Sequence, residues 1–286
     1  MTSIIQQAQS TLSQNFGGPA HNAGPDGAKF ALADTPDQSN KVAVVTGGSQ
    51  GIGYGAVHTL LTKNIAKVFI LSVSPHVIDD SIAAIKEEMG EDKANRMKWI
   101  QCEMSDWKRV TEVASQIRNE TDRLDILINN AARGVMTYQI DDNGVDRHMS
   151  VNHIGHVILT SHLLPLLKDT ASKHGTVRIS NQSSNAHEQT PKDAKFESID
   201  ELNQDLGPMP QYGRAKLANL LYARYLTNHL HKEYPKILIN ATHPGVVETK
   251  MSTEDVFEPY PRAGHLMANV LSPFKKDQFE GCVSTV

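Results

Sequence analysis

From Lys41 onward, short apolar runs rich in β-branched residues alternate with longer stretches whose apolar positions recur three and four apart. The runs Val42–Thr46, Val68–Ser72, Met97–Cys102, Ile126–Asn129, Thr176–Asn181 and Ile237–Thr242 read as strands buried on both faces. Helix patterns fall between them, near Gly51–Lys63, Val77–Met89, Trp107–Thr121, Val145–Lys168 and Tyr212–Tyr234. Within Val145–Lys168, Ile154, Val157, Ile158 and Ser161 keep helical spacing, and Leu164 and Leu167 extend the stripe. Strand–helix alternation of this kind predicts one α/β domain, a doubly wound parallel sheet of Rossmann-like form. Its ligand crevice lies at the carboxyl ends of the strands.

Residues 1–40 break the pattern. Gln14 to Asn40 is rich in Gly, Pro, Asp, Asn and Ser and carries no sustained apolar period, which predicts a flexible N-terminal arm ahead of a domain over 41–286. The arm has no Lys or Arg before Lys29 and no apolar run of signal-peptide type, so cytoplasm is the expected address. Hydrophobic residues make up 39% of the 286 and charged residues 21%, enough apolar material for a sizeable core. A net charge of −4 argues against a nucleic-acid partner, and no apolar run is long enough to span a membrane. Cys102 and Cys282 stand far apart with no framework or metal spacing. His153 and His156 are three apart but have no evident third ligand, and His229 and His231 point to different sides of a helix. No metal is expected.

Thr46-Gly47-Gly48-Ser49-Gln50-Gly51-Ile52-Gly53 lies between the first strand and the first helix. Glycines there let the backbone turn sharply and approach a pyrophosphate, while the helix start offers N–H donors and the positive end of its dipole. A glycine cluster alone is common in turns, but this strand-before, helix-after setting predicts dinucleotide binding. Tyr212 and Lys216, four apart, emerge from one helix face. On spacing alone an ordinary aromatic and a surface charge would be the plainer account.

The segment resembles the TGxxxGIG signature of the short-chain dehydrogenase/reductase family, and the likeness runs from about Lys41 to Thr249. Further motifs follow in the family's order: Asn129-Asn130-Ala131, Asn152 within VNHIGH, Ser183-Ser184, Tyr212-x-x-x-Lys216 and His243-Pro244-Gly245. The wording YGRAKLANLL and ISNQSSNAH is similar to the retinol-dehydrogenase-like and light-induced alcohol-dehydrogenase-like branch. The resemblance implies an oxidoreductase in which Tyr212, Lys216, Ser184 and Asn152 are catalytic. Tyr212 would be the acid in reduction and the base in oxidation, since a neighbouring ammonium lowers a phenol pKa that is ordinarily ~10. Ser184 would hold the substrate oxygen, with Ser183 as a backbone cap, and Asn152 would help hold a water chain to the lysine. Cofactor contacts are expected from Gly47, Ser49, Gln50, Gly51, Ile52, Gly53, Glu103, Asn130, Ala131, Tyr212, Lys216, Pro244, Val247 and Thr249.

The end of the second strand, Leu71-Ser72-Val73-Ser74-Pro75-His76, has no acidic residue for ribose hydroxyls and no basic one for a phosphate. An arginine is common in the resembling branch where Val73 stands. The absent carboxylate and the donors Ser72, Ser74 and His76 favour NADP over NAD. Glu103 stands for the family's aspartate near the adenine, and Ala132 for the last glycine of NNAG. Apolar residues in the stretches near 185–211 and 250–275 suit a lipophilic ketone or aldehyde. They suit equally a cover for the sheet or a subunit contact, so a homodimer stays open. Val286 falls inside what resembles the last family helix, so the sheet is expected to be a strand short or the chain a truncated product. The competing reading is a catalytically idle sensor or interaction protein that binds cofactor.

Overall fold

The computed structural model describes Asn15, residues 30–249, Pro259 and residues 275–286. Its parallel sheet has the order β3-β2-β1-β4-β5-β6. The strands are β1 (Val42–Thr46), β2 (Lys67–Ser72), β3 (Met97–Gln101), β4 (Ile126–Asn129), β5 (Val177–Gln182) and β6 (Ile237–Thr242). The long helices between them are α1 (Gly51–Thr62), α2 (Pro75–Met89), α3 (Trp107–Glu120), α4 (Gly155–His174) and α5 (Pro208–Leu230), and a short α6 (Gln278–Cys282) follows. The strand order reverses direction between β1 and β4, which opens a crevice above their carboxyl ends.

Successive side chains of each central strand go to opposite layers. Ala43, Val45, Val68 and Ile70 pack on Val57, Leu60 and Leu61 of α1 and on Ile78 and Ile85 of α2. Val44, Phe69, Leu71 and Leu127 pack on Val110, Val113 and Ile117 of α3 and on Leu159, Leu163 and Leu167 of α4. Each fully buried aliphatic side chain of this kind contributes about 1.5–3 kcal/mol relative to exposure. Local chemistry sets the helix ends: Ser74 caps α2 ahead of Pro75, Asp106 caps α3, and Gly175 at φ 107° ends α4.

Two departures from the sequence reading concern helix starts. The helix expected over Val145–Lys168 begins with one short turn, Arg147–Met149, passes through a π-helical turn at Ser150–Ile154, and becomes regular only at Gly155. The helix expected from Tyr212 begins at Pro208, after Gly207 at φ 81°. A third departure is the arm. Residues 30–40 pack on the domain: Thr35 and Gln38 are buried, and Leu32–Asp34 forms a turn of 3-10 helix. Gln38 N–H donates to the Lys63 carbonyl at 2.6 Å, and Asn64 Nδ2 donates to Asp37 Oδ1 at 2.9 Å. The rest of the expected arm except Asn15, and the apolar stretch 250–274 except Pro259, lie outside the described residues.

Residues 275–286 clasp the crevice side of the molecule. Val247 pairs with Lys276, Glu248 N–H donates to the Lys276 carbonyl at 2.8 Å, and Lys276 N–H donates to the Val246 carbonyl at 2.8 Å. Phe279 sits edge-on against His58 of α1, and Thr285 Oγ1 donates to Gln182 Oε1 at 2.8 Å.

Candidate active site

The turn after β1 is built for close approach. Gly47 (φ 65°) and Gly51 (φ 55°) adopt the left-handed backbone that side chains disfavour. A Cβ on Gly53 would run into the Gly47 carbonyl oxygen, and one on Gly51 would lie 3.1 Å from the Thr249 methyl. The chain therefore folds tightly over the start of α1, and Thr249 closes it from the far side. Gln50 precedes α1 without capping it by a side chain, and no acidic residue occupies the first turn. The first N–H groups of α1, near Gly51, Ile52 and Gly53, thus receive no cap from the Gln50 side chain, the setting in which a helix start takes an anion. Ser49 is buried, and its carbonyl accepts the Ser81 hydroxyl.

Thr46, at the end of β1, ties this turn to β4. Its hydroxyl oxygen accepts Asn130 N–H and Ala131 N–H, both at 2.9 Å, and meets His156 Nε2 at 2.9 Å. Asn130 Nδ2 donates to the Thr46 carbonyl at 3.0 Å. His156 is buried, and burial pushes its pKa down to about 3, so the ring is neutral. Its Nδ1 faces the Asn152 carbonyl at 3.3 Å, which makes Nδ1 the protonated nitrogen and Nε2 the acceptor of the Thr46 hydroxyl.

Ser184, Tyr212 and Lys216 come together where β5 and α5 meet. The Ser184 hydroxyl neighbours the Tyr212 phenol, donates to Asn185 Oδ1 at 3.4 Å and accepts Ala186 N–H at 3.2 Å. Burial pushes the Tyr212 phenol up to about 12, a rise that the neighbouring Ser184 hydroxyl only partly offsets. Lys216 is 2% exposed, its Nζ stands 5.4 Å from the Tyr212 ring centre, and it donates to the Gln182 carbonyl at 3.1 Å. Burial pulls its pKa down to about 8. Ser183 points the other way and donates to the Lys216 carbonyl at 2.7 Å.

Asn152 sits on the π-helical turn, a widened helix geometry frequent at functional sites. Its side chain is spent on the loop after β4: Oδ1 accepts Arg133 N–H at 2.7 Å and Nδ2 donates to the Arg133 carbonyl at 3.0 Å. Its main-chain carbonyl accepts Asn219 Nδ2 at 3.0 Å.

Several residues to which the sequence reading gives no role have a part in this geometry: Gln182, whose carbonyl receives Lys216, together with Asn219, His148 and Arg214. His148 is fully buried with its ring edge-on to Tyr212, centres 6.5 Å apart, and its Nε2 accepts Met136 N–H at 3.3 Å. Arg214 is buried and donates to the Glu201 carbonyl at 2.8 Å, to the Leu202 carbonyl, and to Gln211 Oε1 at 2.7 Å. It thereby pins the loop between β5 and α5 to the helix that carries Tyr212. In that loop Phe196 and Leu202 pack inward with Val145, Met149 and Ala218, while Ile199 is exposed. Phe196 and Leu202 are thus partly buried against this cluster.

At the other end of the crevice, Val73 follows β2 and is 50% exposed. The Ser72 hydroxyl receives Trp99 Nε1 at 3.0 Å, and Ser74 Oγ caps α2. Glu103 follows β3, its carbonyl accepting Asp106 N–H. Pro244 and Val247 belong to the loop after β6, with the Pro244 carbonyl held by Lys276 Nζ at 3.2 Å and Val247 buried against Gly281. Asn15 reaches this rim: its Oδ1 meets His243 Nε2 at 2.8 Å and Asn185 Nδ2 at 3.1 Å. Among the described residues no three metal-binding side chains cluster, and no helix is long and apolar enough to cross a membrane.

A doubly wound sheet whose first turn is a tight glycine cradle, with serine, tyrosine and lysine gathered at the strand ends, defines a Rossmann-type oxidoreductase scaffold. The chain belongs to the short-chain dehydrogenase family, whose profile matches residues 41–194. A Neurospora crassa protein named as a mitochondrial oxidoreductase, bli-4, is 53% identical over 99% of the chain and 69% of its own length. Human polyprenol dehydrogenase is 28% identical over 75% of the chain and 63% of its own length. Among solved structures, the RhlG/NADP active-site complex of Pseudomonas aeruginosa matches with a TM-score of 0.58 at 25% identity, covering 76% of each chain. Levodione reductase shares the fold, with a TM-score of 0.66 at 18% identity over 86% of this chain and 89% of its own.

The Neurospora relative corrects the cytoplasmic address expected from the sequence. That expectation rests on missing basic residues near the start, a weak negative sign beside a mitochondrial name on a protein alike over nearly the whole chain.

Proposed function

We propose that the chain is an NADP(H)-dependent oxidoreductase that reduces a lipophilic ketone or aldehyde to the alcohol, with Tyr212, Lys216, Ser184 and Asn152 as its catalytic residues. The carrying observation is the half-buried Tyr212, whose ring lies 5.4 Å from the Nζ of the buried Lys216, with the Ser184 hydroxyl as its neighbour. A phenol pushed up to about 12 keeps its proton at neutral pH, the form needed to protonate a carbonyl oxygen as reduction proceeds. Ser184 Oγ would hold that oxygen against the phenol. Lys216 supplies the positive charge that steadies the phenolate left after proton transfer. Asn152 fixes the loop after β4 through Arg133.

The residues fit a nicotinamide dinucleotide. Gly47, Gly51 and Gly53 leave backbone where a Cβ would intrude, and Ser49, Gln50 and Ile52 frame the N–H groups at the start of α1. Asn130, Ala131, Glu103, Pro244, Val247, Thr249, Tyr212 and Lys216 would supply the remaining contacts; of these, Asn130 and Ala131 are tied to Thr46, and Thr249 lies against Gly51 at the cradle. When bound, the nicotinamide supplies or accepts the hydride. NADP is favoured because no carboxylate follows β2 to repel a phosphate, and Ser74 Oγ, which only accepts in its cap, keeps its hydroxyl proton to donate. The NADP named in the Pseudomonas complex agrees. A mitochondrial setting, as in the name of the Neurospora relative, is part of the proposal.

The test is a panel of ketones and aldehydes assayed with NADPH and with NADH, for wild type and Tyr212→Phe. NADPH-driven reduction is expected, and the variant should lose about 10²–10⁴-fold in turnover with cofactor affinity kept within about threefold. Turnover that survives loss of the phenol hydroxyl would overturn the assignment.

A further inference from the structure

Lys216 is nearly out of contact with water, and its Nζ donates to the Gln182 carbonyl at 3.1 Å. The same carbonyl accepts Asn219 Nδ2 at 3.0 Å, and the second hydrogen of that amide goes to the Asn152 carbonyl, also at 3.0 Å. Asn219 lies one turn beyond Lys216 on α5, is buried, and so joins three pieces of chain: α5, the end of β5 and the π-helical turn. Its remaining polar atom, Oδ1, meets His153 Nδ1 at 2.9 Å. Turning the amide over would set Oδ1 against two carbonyl oxygens, so the network admits one orientation and requires the proton of His153 on Nδ1. The His153 ring is itself held edge-on to Tyr222, centres 5.8 Å apart at 87°. Burial lowers the pKa of His153, which keeps the ring neutral and its single proton in the bond to Asn219.

We propose that Asn219 is a positioning residue for the proton chemistry of this site. Its amide holds the Gln182 carbonyl that receives the Lys216 ammonium and ties that carbonyl to the Asn152 carbonyl of the π-helical turn, and His153 keeps the amide the right way round. The groups that face Lys216 leave the task to dipoles. Its own helix brings Tyr212, the π-helical turn and the helix after it bring the neutral His153 and His156, and β5 with the residue after it brings the uncharged Gln182 and Ser183. Burial is the cause that lowers the lysine's own pKa. A hydrogen bond from Asn219 draws electron density from the Gln182 oxygen and limits what that oxygen offers the ammonium. Loss of the amide frees the oxygen and admits water, and both effects favour the charged lysine.

The assignment rests on the proposed oxidoreductase reading only for its kinetic arm. The first arm needs no substrate: the Lys216 signal is followed against pH by NMR of protein labelled at lysine Cε, identified by its loss in Lys216→Ala. Asn219→Ala should raise the Lys216 titration by at least ~0.5 of a pH unit. His153→Phe should raise it less, His153→Gln, which can still donate to Asn219, should restore it, and the double variant should add little to Asn219→Ala alone. In the kinetic arm Asn219→Ala should lower kcat about tenfold or more and move its alkaline limb upward, with KM for the carbonyl within about threefold. An unmoved Lys216 titration in folded Asn219→Ala, or strictly additive effects of the two substitutions, would overturn the proposal. Should Asn219→Ala not fold, the Phe and Gln variants of His153 decide it by the same titration. If wild type reduces no carbonyl while the titration shifts as expected, the functional reading fails and the role of Asn219 in holding Lys216 stands.

Discussion

Replacing Lys216 by methionine should make the protein more stable at neutral pH while removing its proposed chemistry. Lys216 has its pKa pulled from an ordinary 10.5 to about 8 by burial. At 1.36 kcal/mol per pH unit, holding the ammonium in the folded state costs on the order of 3 kcal/mol below pH 8. Its N–H bond to the Gln182 carbonyl returns about 1 kcal/mol, and that carbonyl keeps Asn219 when the lysine is gone. A methionine of similar length should therefore gain about 1–3 kcal/mol at pH 7, or a few degrees in Tm. The sign with pH follows from the lowered pKa. Between about 8 and 10.5 the unfolded chain holds the proton and the folded one does not, so wild-type stability gains on the variant as pH rises through that window. Paired urea unfolding of both proteins at pH 7 and pH 10.5 isolates the term, because every other group titrates in both. A stability difference that is the same at the two pH values would refute the reasoning, as would a methionine variant less stable at pH 7.

Three further outcomes follow from the geometry. Gly53→Ala drives a methyl into the Gly47 carbonyl, so the cradle must open; NADPH affinity by fluorescence titration should fall at least about tenfold, and unchanged affinity would mean the turn does not hold the cofactor. Thr46→Val strips the acceptor from Asn130 N–H and Ala131 N–H and the hydroxyl partner from His156, and urea unfolding should show a loss of about 2–4 kcal/mol. Val73→Asp puts a carboxylate beside the expected phosphate position, so NADPH binding should weaken by about tenfold or more while NADH binding holds; equal losses would argue against NADP.

How far the sequence speaks varies along the chain. The strands are legible to within a residue or two because continuous runs such as Val42–Thr46 and Ile126–Asn129 have no other use in a domain of this size. Gly207-Pro208 is a helix-start signal that the weight placed on Tyr212 obscures. The π-helical turn has no compositional mark, since Ser150–Ile154 reads as ordinary helix. The docking of Thr35 and Gln38 is hidden by a polar, glycine-rich context. Motif order brings out Tyr212, Lys216, Ser184 and Asn152 as candidates. Gln182, Asn219 and the Thr46–His156 pair are given no role because they act through main-chain carbonyls and N–H groups, whose positions no residue name records.

The clasp made by residues 275–286 has a mechanical consequence. It grips α1 through His58, the loop after β6 through Val247, and the end of β5 through Gln182, whose backbone oxygen also anchors the lysine. The two banks of the crevice are thereby strapped to one another, and a jaw-like separation would have to tear this strap loose first.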